Sequence, residues 1–169
     1  DLRDRDIEWA DWVMISGMVI HRDSAQELIA RVKSFGKTVI AGGPLFTSEY
    51  ENFPLVDHFV LNEGEITLPL FLTDWAQGTA QRIYKTEEFA DVTKTPIPEF
   101  QLADLKKYAT MSIQFSRGCP FNCEFCNITA LFGHRPRTKT AQQLIGELDA
   151  LYQLGRRDPV FIVDDNFIG

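Results

Sequence analysis

Three cysteines occur in the 169 residues, and all three fall within Cys119-Pro-Phe-Asn-Cys123-Glu-Phe-Cys126. A thiolate is a soft anionic ligand, so three of them in one short loop read first as a metal site. The spacing Cys-x3-Cys-x2-Cys lets three sulfurs surround one point and leaves a fourth position unfilled. Structural iron–sulfur sites fill all four positions with cysteine, whereas a reactive metal centre keeps one open for its substrate. Gly118 and Pro120 suit a tight loop whose backbone must come close to a bulky inorganic group. Two other readings compete. Zinc takes four N or S ligands, and His134 would complete a Cys3His set in a structural module without catalysis, although zinc knuckles more often pair their cysteines as Cys-x2-Cys. A disulfide plus a free thiol would require an oxidising compartment. No charged-then-apolar leader with a small-residue cleavage site is present, and the chain reads as cytoplasmic.

The surroundings of this loop narrow its partners. Net charge is −7, which argues against general nucleic-acid binding. Locally the balance reverses: Arg117, Arg135, Arg137 and Lys139 stand against Glu124 alone between positions 117 and 139. That basic stretch suits an anionic cofactor or substrate, or is a solvated loop. Apolar residues make up 44% of the chain and include 13 Phe, enough for a packed core. No run of about 18 apolar residues marks a transmembrane span.

Elements that would position the loop alternate between strand and helix. Apolar runs at Trp12–Ser16, Thr38–Ala41 and His58–Leu61 read as buried strands. Between the first two, Asp23 and Gln26 form a capping-box-like pair, and Ala25, Leu28, Ile29, Val32 and Phe35 line one helical face up to Gly36. A further helix is expected over 66–76. Residues 78–110, with Pro96 and Pro98, read as an ordered, extended connection. Met111–Phe115 is an alternating strand that delivers the cysteine loop at its carboxyl end. A helix from about Ala141 follows, opened by Thr140 with Gln143, and Leu144, Ile145, Leu148, Leu151 and Tyr152 are expected to form its buried face. Pro159–Val163 is the next strand, running into Asp164-Asp165-Asn166. Parallel sheets bind ligands beyond their strand carboxyl ends, where Ser16-Gly17, Gly42-Gly43 and the Asp-Asp-Asn turn all lie. Asp and Asn are also ordinary turn residues, so the last of these has a plain reading too.

The stretch Ser116-Arg-Gly-Cys-Pro-Phe-Asn-Cys-Glu-Phe-Cys126 resembles the signature of the radical S-adenosylmethionine (SAM) enzymes. The resemblance implies that Cys119, Cys123 and Cys126 hold a [4Fe-4S] cluster whose open iron chelates SAM. One electron then cleaves SAM to methionine and a hydrogen-abstracting 5'-deoxyadenosyl radical. It also implies that Phe125 lies by the adenine, and that Asp164, Asp165 and Asn166 orient the SAM ammonium. Upstream, Ser16-Gly-Met18, Gly42-Gly43 and Asn62-Glu-Gly-Glu65 resemble the later motifs of a cobalamin-binding domain fused ahead of such enzymes. By that likeness Ser16, Gly42 and Gly43 receive the cofactor's nucleotide tail. The Asp-x-His-x-x-Gly pattern that supplies a cobalt ligand in many such domains does not occur, and His21, His58 and His134 stand in other contexts. Leu131-Phe-Gly-His-Arg-Pro-Arg-Thr-Lys-Thr140 with Val-Asp-Asp-Asn-Phe-Ile-Gly169 is similar to the hopanoid methylase-like subgroup, which implies cobalamin-dependent methyl transfer to an unactivated carbon of a small-molecule or lipid substrate. An electron donor such as flavodoxin or ferredoxin is implied as partner.

The expected fold class is therefore α/β: a partial doubly wound, cobalamin-binding-like parallel sheet (1–77), a connection (78–110), and the first β-α-β unit of a radical SAM, TIM-like partial barrel (111–169). Open parallel edges are poorly tolerated, so the chain is expected to be an internal fragment that does not turn over by itself.

Overall fold

The computed structural model describes residues 2–167. Ile168 and Gly169, which close the last motif, lie outside the described residues, as does Asp1. The chain divides into two compact units, Asp1–Ala90 and Asp91–Gly169.

The first unit runs α1 (Asp4–Trp9), β1 (Trp12–Ser16), α2 (Arg22–Ser34), β2 (Thr38–Gly42), α3 (Pro44–Glu49), β3 (His58–Val60), α4 (Gly64–Ala76) and β4 (Ile83–Tyr84). Its four strands form one parallel sheet in the order β1-β2-β3-β4. Alternation along the strands sends side chains to two cores. Val39, Ala41, Phe59 and Leu61 point to one face with Ile7, Ile29, Val32 and Phe46. Ile40 and Val60 point to the other, with Phe71 and Tyr84. Both faces are thus covered by helices, which is why β2 reads as an uninterrupted apolar run. The expected doubly wound α/β arrangement is present.

Three local expectations change. Helix α2 starts at Arg22 with His21 as its N-cap, and Asp23 sits inside the first turn without a capping hydrogen bond. There its charge favours the positive helix end instead. Helix α3, begun by Pro44, was not marked by periodicity. Strand β4 lies in the stretch read as connection; Tyr84 is buried, and its hydroxyl donates to Asp74 Oδ2 at 2.7 Å.

The second unit contains β5 (Met111–Ile113), β6 (Ser116–Arg117), α5 (Ile128–Phe132), β7 (Arg137–Thr138), α6 (Ala141–Gln153) and β8 (Val160–Ile162). Strands β5 and β8 pair in parallel, joined through α6. Thr140 and Gln143 form the expected reciprocal capping box. The core is Met111, Ile113 and Leu151, with Leu144, Val160 and Ile162 packed on it. Ile145, Leu148 and Tyr152 are exposed, contrary to expectation. They lie on the helical stripe beside the one that faces β5 and β8, and Glu147 takes a buried place on the inner stripe. Residues 91–110 are stitched to this unit: the Gln143 amide donates to the carbonyls of Val92 and Thr95, and Arg156 donates to those of Leu105, Tyr108 and Ala109.

Candidate functional sites

At the carboxyl end of the first sheet, the register Ser16↔Gly42 and Gly42↔Val60 sets three strand ends level. Above them lies an open depression of about 300 Å³, lined by Ser16, Gly42, Gly43, Val60 and Asn62 among others. Two glycines shape it. A Cβ on Gly42 would lie 2.6 Å from the Val60 carbonyl, and Gly43, at φ +83°, would drive a Cβ onto Ser16 Oγ. Asn62 adopts φ +64°, the left-handed region that asparagine tolerates better than most residues. Its amide nitrogen donates to Thr47 Oγ1 at 2.9 Å. Next to it, buried Glu63 accepts from the Ala90 amide at 2.5 Å. The Asn-Glu-Gly-Glu turn therefore both ends β3 and ties down the last residue of the unit, a role that its sequence did not announce.

In the second unit the cysteine loop is closed by a two-residue antiparallel ribbon, Ser116↔Thr138 and Arg117↔Arg137. The ribbon and the short helix α5 were not legible from periodicity. Gly118 has φ +92°, and a Cβ there would meet the carbonyls of Arg135, Gly133 and Phe132 at 2.9–3.1 Å. Cys119 N donates to the Gly133 carbonyl at 3.3 Å. All three thiols are free; Cys119 is half-buried, Cys123 and Cys126 are exposed, and Phe125 is 94% exposed. Among the described residues no three His, Cys, Asp or Glu side chains lie close enough together to hold a metal ion. The donor chemistry nevertheless fits an iron–sulfur cluster: three unpaired thiols on one anchored loop, two of them at its accessible rim. Ligands on such loops converge as the metal binds.

The end of β8 faces the start of that loop. Asp164 Oδ1 accepts from the amides of Phe115 and Ser116 at 2.7 and 3.0 Å, and Oδ2 accepts from Ser116 Oγ at 2.9 Å. Asp165 Oδ2 accepts from Gly118 N at 2.9 Å. Asn166 Nδ2 is buried without a hydrogen-bond partner. Asp164 is thus already engaged by the chain's own donors.

The local basic stretch is largely spent internally as well. Arg117 Nε donates to Gln114 Oε1, Arg137 to the Phe132 carbonyl, and Lys139 pairs with buried Glu147, while Arg135 and His134 are exposed. Elsewhere, His21 Nδ1 accepts from Met18 N, and His58 Nδ1 is 2.6 Å from the Gln81 carbonyl, which only accepts, so Nδ1 carries the proton there. Among the described residues no helix is long and apolar enough to cross a membrane.

No protein-family model matches the chain. A protein of Synechocystis sp. described as an uncharacterized methyltransferase is 52% identical over 165 residues, covering 96% of this chain and 31% of that protein. Hopanoid C-2 methylase of Rhodopseudomonas palustris is 42% identical over 168 residues, covering 97% of this chain and 32% of the methylase. The chain thus spans about a third of the length of these relatives. Among solved structures, the radical SAM methyltransferase TsrM of Kitasatospora setae superposes with a TM-score of 0.72 at 16% identity, covering 96% of this chain and 38% of TsrM. At that identity the likeness speaks for the fold. The relatives leave the zinc-module reading of the cysteines without support. Over nearly its whole length, this chain is homologous to methyltransferases of the hopanoid C-2 methylase type.

Proposed function

We propose that the protein carrying this chain is a radical SAM methyltransferase that uses a [4Fe-4S] cluster and cobalamin. The observation that carries the reading is the pairing of three free thiols on an anchored loop at the end of β5 with homology to a hopanoid methylase. TsrM, which shares the fold, has been solved with cobalamin and a [4Fe-4S] cluster, and with a SAM analogue.

Cys119, Cys123 and Cys126 would hold the cluster, with Phe125 at the accessible rim beside the last thiol, where a ring can cover an adenine. Asp165 and Asn166, at the end of β8, are assigned to the SAM ammonium, since a carboxylate or amide oxygen accepts from a cation that must be oriented. Asp164 was expected to share that role; both its oxygens already accept from the chain. Ser16, Gly42 and Gly43 are assigned to the cobalamin tail, where the missing side chains leave the depression open. Once bound, the cluster supplies the electron for reductive cleavage of SAM and the corrinoid carries the methyl group; the protein's part is to bind, orient and exclude water. The substrate is assigned as a small molecule or lipid and the electron donor as a flavodoxin or ferredoxin. Free thiols suit the reducing cytoplasm.

The test is anaerobic reconstitution followed by iron and sulfide analysis and EPR of the reduced state. Roughly four irons per chain, with a signal that SAM perturbs and Cys123→Ala abolishes, supports the reading. Stoichiometric zinc, with a Cys123→Ala variant that binds no less iron than the unaltered chain, overturns it.

A further inference from the structure

We propose that Asp164 is a positioning residue that presets Cys119, by clamping the backbone that enters the cysteine loop before any metal is bound. The ladder between β5 and β8 ends at Ile113, whose carbonyl accepts from Val163 N at 2.9 Å. Beyond it the two strands part, and the amides of Phe115 and Ser116 lose the neighbouring strand as a partner. Half-buried backbone donors need an acceptor, and the Asp164 carboxylate supplies one for both, while its other oxygen takes the hydroxyl of buried Ser116. Asp165 adds Gly118 N. On the opposite edge of this segment, the Phe115 carbonyl accepts from Lys139 N at 2.8 Å.

Residues 115–118 are therefore held from two sides, and Cys119, the next residue, is fixed again through Gly133. Among the described residues, Cys123 and Cys126 have no comparable anchorage in the exposed part of the loop, where the backbone bond between them, Cys126 N to the Cys123 carbonyl at 3.1 Å, is local. The loop thus has a preset thiol and two adjustable ones. Charge also favours this division. A carboxylate facing a site of thiolates is tolerated when amide and hydroxyl donors neutralise it, and three such donors converge on Asp164. The inference rests on the cluster reading above for its consequence, although the clamp itself is independent of it.

The experiment compares the full chain with Asp164→Ala and with Asp164→Asn, whose amide oxygen still accepts from both backbone amides. Amide exchange is read before reconstitution, and iron content and EPR after it. Asp164→Ala is expected to speed exchange at Phe115 and Ser116 by about tenfold or more, to lower iron per chain, and to broaden the EPR signal; Asp164→Asn is expected to restore all three. Unchanged exchange and iron in a folded Asp164→Ala variant overturns the proposal. If that variant does not fold, the unaltered chain decides: Phe115 and Ser116 amides exchanging as fast as those of Asn122 and Cys123 also overturns it. Failure of the cluster reading shows separately, as iron that Cys123→Ala does not reduce, while the exchange comparison still judges the clamp.

Discussion

Lys139 Nζ lies 2.5 Å from Glu147 Oε1, with side chains only 9% and 2% exposed. The pair joins the residue that follows β7, the strand that closes the cysteine loop, to the inner face of α6. Removing one partner of a buried ion pair strands the other charge, at about 3–5 kcal/mol. Lys139→Ala is expected to destabilise the second unit by that order, measured by denaturant unfolding, whereas Lys139→Met with Glu147→Leu should cost far less. Equal losses in the single and double variants would show that packing, not charge, dominates.

Gly118→Ala should be worse than a positive φ alone explains. A residue with a Cβ held in this region costs about 1–3 kcal/mol, and here the Cβ also presses on three carbonyl oxygens. Gly155→Ala is the control, since Gly155 has φ +87° and open space around it. The thermal midpoint should fall further for Gly118→Ala, and iron incorporation should fall only there.

Acid should weaken the first unit through Asp57. Burial pushes its carboxyl up, but the Lys33 ammonium and the Val39 amide outweigh this and hold it below the ordinary value. Lys33 Nζ lies 2.8 Å from Asp57 Oδ2, and Val39 N donates to the same oxygen at 2.8 Å. Because the folded value is depressed, the stabilisation is complete above the unfolded value of about 3.9 and is lost as pH falls through the folded one. Asp57→Asn should therefore lower stability at pH 7, by about 1 kcal/mol for so exposed a pair. The gap to the unaltered chain should close in acid. A gap that stays constant from pH 7 to strong acid would refute the assignment.

Gly43→Ala tests the depression at the first sheet's end. With its Cβ forced onto Ser16 Oγ, cobalamin affinity followed by absorbance should drop by about tenfold, near 1.4 kcal/mol. Gly36→Ala, also at positive φ but in open space, should leave affinity unchanged.

Much of this architecture was readable. Five strands and the helices α2, α4 and α6 carry runs or periodicities long enough to register, and Thr140 with Gln143 announces a helix start. Strands β4, β6 and β7 are two residues long, too short to carry a period, and exist through partners elsewhere in the chain. Asp164 was legible as a strand-end carboxylate, but not its work: two of the three donors it meets are backbone amides 48 and 49 residues away, which no side-chain pattern records. The exposed stripe of α6 failed because helical spacing marks an apolar side without saying how much of it is covered.

The ribbon Ser116↔Thr138, Arg117↔Arg137 has a consequence for how the thiols are held. Bringing the ends of residues 118–136 together costs entropy that grows only slowly with loop length, and two strand pairs at the neck meet that cost in the folded chain. The loop behaves as a purse already drawn shut at its mouth. Converging on a metal then requires rearrangement of only a few residues around Cys123 and Cys126, so the identity of Phe121, Asn122 and Glu124, which flank Cys123, is free to be set by what approaches from outside.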